Sequence, residues 1–220
     1  MKRKLGKIIL FQGDSITDGN RYKKKEELWD LNHHMGHGYA YMVNGKLGTI
    51  YTDKDLTFVN RGISGNRIVD VFARLEEDII NIKPDIISFL VGVNDVYAEI
   101  DSQSGTKPKM FEAVYCLMLD AIKERLPQSE LVICEPFILP VGNVEKEREA
   151  WEAVMSPLQA IAKRVAEDYN AIFIPLQGIF NDLCKLREPS YWSWDGVHPT
   201  VCGHQIIADE WIKATKRLFE

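Results

Sequence analysis

Short runs rich in Ile, Val, Leu and Phe alternate along this chain with longer amphipathic stretches, and that alternation predicts an α/β protein. Apolar runs too continuous for a half-exposed sheet call for a parallel sheet covered by helices on both faces. Size agrees: 220 residues, 45% hydrophobic and 27% charged, suffice for one good core and predict one globular domain over residues 1–220. No repeat, linker or low-complexity segment interrupts the pattern.

Taken in order, the elements begin with a strand at Ile8 to Gln12. The preceding residues are basic, but the apolar run is very short and no small-residue cleavage site follows, so Met1 to Gln12 reads as a first strand and not as a signal peptide. Asn20 to Gly38 is polar and irregular and belongs on the rim of the sheet; its Lys23 to Lys25 run reads as a solvated loop. A helix follows at Tyr39 to Leu47, a strand at Thr57 to Asn60, a helix at Ile68 to Ile82 and a strand at Asp85 to Val91. Val96 to Pro108 is the second irregular stretch. Helix Lys109 to Arg125, strand Leu131 to Glu135, helix Glu147 to Tyr169 and strand Ala171 to Pro175 complete the sheet, making five strands in all. Helix Val201 to Leu218 closes the chain with apolar positions at helical spacing. Trp151 and Trp211 fall within such helices and read as core or interface residues.

A net charge of -5 without a long basic stripe argues against nucleic-acid and anionic-membrane partners. No apolar run approaches the roughly 20 residues that span a bilayer. Cys116, Cys134, Cys184 and Cys202 lack metal-ligand spacing and read as reduced, structural thiols of a cytoplasmic protein.

The chemistry lies in two segments at opposite ends, Gly13-Asp14-Ser15-Ile16-Thr17 and Asp195-Gly196-Val197-His198-Pro199. A serine hydroxyl attacks a carbonyl poorly unless a base accepts its proton and a third group orients that base. Ser15, His198 and Asp195 fit those catalytic roles, and Asp-x-x-His spacing lets carboxylate and imidazole come from one compact turn. Ligands of open α/β sheets bind beyond the carboxyl ends of the strands. Ser15, the Gly62 to Asn66 loop and the Gly92-Val93-Asn94-Asp95 loop follow the first three strands and so open at one edge. The backbone N–H groups of Ser15 and Gly65 and the amide of Asn94 form a candidate oxyanion hole; such donors are worth about 10² to 10³ each in turnover in other hydrolases.

Neighbouring residues carry weaker signals. Asp14 and Asp95 read as carboxylates that brace their loops, and Asp14 is kept with Trp192 and Trp194, which flank the catalytic turn, as a candidate substrate contact. Trp29 is an outside candidate. His33, His34 and His37 lack partners at convincing ligand spacing, and His204 reads as a capping or packing residue; no metal and no cofactor is assigned.

These residues resemble the SGNH hydrolases, also called GDSL esterases. Four blocks of that family stand in order: Gly13-Asp14-Ser15, Gly62-Ile63-Ser64-Gly65-Asn66, Gly92-Val93-Asn94-Asp95 and Asp195-Gly196-Val197-His198-Pro199. Within the family, the runs Asp14 to Asp18, Asn60 to Asn66, Trp194-Asp195 and His198-Pro199 are most similar to intracellular xylan acetylesterases. The resemblance implies a flavodoxin-like three-layer αβα sandwich. It implies Ser15 as nucleophile, His198 as base, Asp195 as orienter and Ser15, Gly65 and Asn94 as oxyanion donors. It further implies removal of acetyl groups from a small acylated carbohydrate such as an acetylated xylo-oligosaccharide, by way of an acetyl-enzyme, and a homo-oligomer. The sequence departs from the Gly-x-Ser-x-Gly elbow of ordinary α/β-hydrolases at Thr17, and its Lys23 to Met35 stretch is longer and more polar than the family pattern. A lysophospholipase or thioesterase would need a long apolar groove, which the charged Asn20 to Gly38 stretch does not suggest. A noncatalytic carbohydrate-binding protein would have no use for the Ser15, His198 and Asp195 set. A phosphate or flavin site at Gly13 to Gly19 would be opposed by Asp14 and Asp18.

Overall fold

The strands are β1 (Ile8–Gly13), β2 (Thr57–Asn60), β3 (Ile86–Leu90), β4 (Glu130–Cys134) and β5 (Ile172–Ile174), in a computed structural model that describes residues 6–24 and 31–220. All five run parallel in the order β2-β1-β3-β4-β5. β1 lies between β2 and β3, with Leu10 opposite Val59 on one side and Ile87 on the other. After β1 the chain moves one way to β2 and then back past β1 to β3, so the loops after β1 and β3 part at a switch point, where such sheets bind ligands.

Ten α-helices are described: α1 (Ser15–Asp18), α2 (Tyr39–Ile50), α3 (Ile68–Ala73), α4 (Leu75–Asp78), α5 (Val93–Ser102), α6 (Pro108–Arg125), α7 (Asn143–Lys146), α8 (Arg148–Asp168), α9 (Leu176–Leu183) and α10 (Val201–Thr215). α2 and α10 pack together on one face of the sheet, and α6 packs between α3 and α8 on the other. With both faces covered, Ile9, Leu10 and Phe11 of β1 and Ile86, Ile87 and Phe89 of β3 are fully buried, as their unbroken apolar runs require. Phe11 meets Tyr39 of α2 edge-on at 5.7 Å and Trp211 of α10 at 5.3 Å. Across the sheet, Tyr115 stands edge-on to both Phe89 and Phe111. Trp211 donates from Nε1 to Ser88 Oγ at 2.9 Å, which satisfies the one hydroxyl in the buried β3 run.

The expected strands are all present, but the helices differ from expectation, beginning with the short α1 and α7, which the sequence pattern does not mark. The single helix expected over Ile68 to Ile82 is broken into α3, α4 and a 3₁₀ turn at Ile80–Ile82. At the first break Arg74 turns its guanidinium to Asn66 Oδ1 (2.8 Å), Arg61 O (2.8 Å), Gln12 Oε1 (3.0 Å) and the Asp78 carboxylate. The bonds to Arg61 and Gln12, from outside the helical stretch, compete with the local helical preference. Val96 to Pro108, expected to be irregular, is mostly the continuation of α5. α9 follows β5 within two residues and was not anticipated.

Among the described residues no helix is long and apolar enough to cross a membrane, and no cluster of three His, Cys, Asp or Glu side chains is arranged to hold a metal ion. Trp29 and Lys25 lie outside the described residues, as does the middle of the Lys23 to Met35 stretch.

Candidate active site

β1 ends at Gly13, and the chain turns at once into α1, with Asp14 as its N-cap. The Asp14 carboxylate accepts from Ile16 N at 3.0 Å and so holds the turn that presents Ser15. The Ser15 N–H, at the first helical position, has no acceptor within the turn. From the other end of the chain, the loop before α10 doubles back through a bridge between Ser193 and Pro199. Ser193 Oγ donates to His198 O (2.8 Å) and accepts from Gly196 N (3.0 Å), so the loop is braced from within. Asp195 Oδ1 accepts from Val197 N (2.9 Å) and His198 N (2.6 Å), which aims its other oxygen at the imidazole.

The result is a continuous hydrogen-bonded chain. Ser15 Oγ lies 2.8 Å from His198 Nε2, and His198 Nδ1 lies 2.7 Å from Asp195 Oδ2. The carboxylate selects the tautomer with the proton on Nδ1, which leaves Nε2 to accept from the Ser15 hydroxyl. The Asp195 bond raises the His198 pKa above its ordinary value in spite of partial burial. For Asp195, burial alone would raise the pKa, but the bonds from His198 and Val197 outweigh it and hold the carboxyl below the usual range.

Two buried residues fasten the Ser15 turn to the loop after β2. Asp18 accepts from Ser64 N (3.0 Å), Ser64 Oγ (2.8 Å), Arg21 N (3.1 Å) and Lys23 Nζ (2.7 Å). Asn60 donates to Thr17 O (2.6 Å) and Met35 O (2.9 Å) and accepts from Gly62 N (2.9 Å). Gly65 follows, exposed, with φ +84 and only open space where a Cβ would be, so its backbone can approach a ligand. Asn94, at the start of α5, donates one amide hydrogen to Asn66 O at 3.1 Å, which orients the group and leaves its second hydrogen to point elsewhere. Asp95 is fully buried and accepts from Ile68 N at 3.1 Å, tying α5 to α3.

An open cavity of about 480 Å³ lies against Ser15 and His198, walled by Ser64, Trp194, Thr200 and His204. Of the candidate substrate contacts, Trp194 lines it, whereas Asp14 and Trp192 do not. Asp14 is 1% exposed because its carboxylate caps α1, and burial pushes its pKa up to about 7. Trp192 is 9% exposed and turns inward, edge-on to Tyr191. His204, expected to cap or pack at the start of the last helix, is buried there and in addition forms part of the cavity wall. Its position in the first turn of α10, six residues beyond His198, was the available signal. Asp18 and Asn60 carried no signal beyond their place in the family-like runs.

A doubly wound αβα sheet carries these groups at its carboxyl edge, and its sequence relatives make the protein a carboxylic ester hydrolase. The chain belongs to the GDSL-like lipase/acylhydrolase family, which it matches over residues 11–206. It is 34% identical over 215 residues to an acetylxylan esterase of Geobacillus stearothermophilus, covering 97% of this chain and 95% of that one. The crystal structure of that organism's acetylxylan esterase Axe2 superposes with a TM-score of 0.82 at 33% identity, over 97% and 96% of the two chains. A GDSL-like protein from Parabacteroides merdae superposes with a TM-score of 0.89 at 35% identity, over 98% and 99%.

Proposed function

We propose that this protein removes acetyl groups from carbohydrate esters such as acetylated xylo-oligosaccharides, using Ser15 as nucleophile, His198 as general base and Asp195 as its orienter. The observation that carries this reading is the unbroken Ser15–His198–Asp195 hydrogen-bond chain at the mouth of the cavity. Ser15 Oγ attacks the acetyl carbonyl carbon while its proton passes to His198 Nε2. The carbonyl oxygen becomes an oxyanion, held by the N–H groups of Ser15 and Gly65 and by the Asn94 amide. Collapse breaks the ester C–O bond, and His198 returns the proton to the departing sugar oxygen. A water molecule then attacks the acetyl-enzyme, giving its proton to His198, and acetate leaves as that proton returns to Ser15.

The relatives support both site and substrate. Forms of the Geobacillus esterase are described as catalytic mutants at a serine, a histidine and an aspartate, the last two spaced three residues apart as Asp195 and His198 are. That enzyme is also described as an acetyl-xylooligosaccharide esterase. On this chain the exposed indole of Trp194 beside His198 suits a sugar ring. We extend the reading to a homo-oligomer, for which the exposed Tyr97, Met110 and Leu117 offer apolar surface, and to the cytoplasm, which suits four free thiols.

The test is acetate release from acetylated xylo-oligosaccharides by wild type and Ser15→Ala, with acetyl and octanoyl nitrophenyl esters run in parallel. Release that requires Ser15 and favours acetyl supports the proposal. Octanoyl preference with inert sugars assigns the protein to lipid or thioester hydrolysis, and sugar binding without turnover to a binding role.

A further inference from the structure

We propose that His204 is a specificity-determining residue whose Nε2–H donates a hydrogen bond to an oxygen of the sugar that carries the ester. This inference rests on the carbohydrate ester reading above.

His204 lies in the first turn of α10, and its ring is held from one side. Tyr39 N, at the start of α2, donates to Nδ1 at 3.2 Å. Gly38 provides the room: a Cβ there would stand 3.1 Å from His204 Cε1 and 3.3 Å from Nδ1. Because Nδ1 accepts, the proton of the neutral ring must sit on Nε2. That nitrogen has no acceptor among the described residues and is not sealed in the core, and the ring forms part of the wall shared by Ser15, His198 and Trp194. The ring therefore offers the cavity one donor of fixed position and fixed tautomer.

Gly65 and Asn94, assigned to the carbonyl oxygen, do not line this cavity. The exposed Trp194 indole that walls the cavity suits a sugar ring, and on that ground the cavity is assigned to the alcohol part of the ester. A sugar stacked on Trp194 turns its hydroxyl and ring oxygens outward, and a neutral donor at the edge of the stack matches them without placing a second positive charge beside the His198 imidazolium. Burial, reinforced by the nearby His37 and His198, lowers the His204 pKa to about 4, so the ring stays neutral at physiological pH.

The experiment compares methyl β-xyloside monoacetates with nitrophenyl acetate, which has no sugar. In His204→Asn the amide oxygen can still accept from Tyr39 N–H, but no donor reaches the Nε2 position. In His204→Gln the amide nitrogen comes close to that position. One neutral hydrogen bond corresponds to about a tenfold change at most. We expect His204→Asn to lower kcat/KM for the xyloside acetate by up to about tenfold, chiefly through KM, with nitrophenyl acetate within about twofold and the pH profile unmoved. His204→Gln should recover part of the loss. Mono-deoxy xyloside acetates provide a check that needs no variant: with wild type, one of them should lose the same factor. Equal losses on both substrates, or no loss on either, overturn the assignment. If wild type cleaves nitrophenyl acetate but no xyloside acetate, the carbohydrate reading itself fails and His204 loses its role with it.

Discussion

The Trp194 indole lies almost parallel to the His198 imidazole, with ring centroids 5.1 Å apart and planes inclined by 14°, although 64% of Trp194 is exposed to solvent. The stack resists rotation of the imidazole out of line with Ser15. An aromatic contact of this kind is worth about 0.5–1.5 kcal/mol, so Trp194→Ala should reduce kcat on nitrophenyl acetate by about two- to tenfold. Trp194→Phe should retain most of the rate. An unchanged kcat in Trp194→Ala would show that the stack does not hold the base.

Ser15 is half-buried, and its side chain bonds to His198 alone among the described residues, so removing the hydroxyl disturbs little packing. Ser15→Ala should leave the thermal unfolding midpoint within a few degrees of wild type and abolish acetate release. Retained turnover in the purified variant would move the nucleophile elsewhere.

The His198 pKa is raised by the Asp195 bond, and as the proposed base His198 works only when unprotonated. The rate should therefore climb with pH and level off with a midpoint above the ordinary value of about 6.5. The same bond stabilises the fold most fully below the unfolded histidine pKa, and that contribution is lost as pH rises through the folded value. Activity and this part of stability thus run in opposite directions across the neutral range. Asp195→Asn should lower the plateau by about 10⁴ and shift the midpoint down, as judged from kcat/KM between pH 5 and 9. A profile flat over that range in wild type would rule out His198 as the base.

Asp14 behaves in the opposite sense from a salt-bridged carboxylate. Burial raises its pKa to about 7, and Asp14 Oδ2 is buried without a partner. The folded state favours its neutral form, so its contribution to stability declines as pH rises from the unfolded carboxylate value through about 7. Asp14→Asn keeps an oxygen to cap α1 but cannot ionise. Melting curves should show the variant gaining on wild type between pH 5 and 9, by about 1–3 kcal/mol at the upper end. A constant difference across that range would mean that Asp14 does not titrate there.

Asn60 bonds to backbone groups from three segments, at Thr17 and Asp18, at Met35 and at Gly62. Asn60→Ala leaves those groups buried and unsatisfied, and should cost about 2–4 kcal/mol in urea denaturation. Turnover should fall as well, because Gly62 leads the loop that carries Gly65. Full stability in this variant would show that water replaces the side chain without loss.

The sheet was legible in the sequence because its strands are buried on both faces. Runs such as Ile9 to Phe11 and Ile86 to Phe89 fit few other environments. The hydrogen-bonded grouping of Ser15, Asp195 and His198 was legible because the residue types and the short Asp-x-x-His interval suggest it without reference to the fold. What local pattern could not reveal depended on partners far along the chain. Arg74 stands at the break in a periodic helix with its guanidinium on Gln12 and Arg61 O, 62 and 13 residues earlier. The Asp14 and Trp192 side chains sit beside functional residues in sequence yet point into the core, because adjacency along a turn says nothing about direction. His204 shows the converse: a buried helical residue that reaches the cavity because Gly38 has no side chain to obstruct it.

The loop that carries Asp195 and His198 is closed by its own bonds, through Ser193 and the bridge to Pro199, while Ser15 reaches it from 183 residues away. The Asp195–His198 pair is therefore a prefabricated part, and its seating against Ser15 is a separate adjustment, made by the docking of α10 on α2. Damage to the two halves leaves different signatures. A lesion inside the loop alters the histidine's titration, whereas one that slides α10 on its neighbour slows the reaction and leaves that titration where it was.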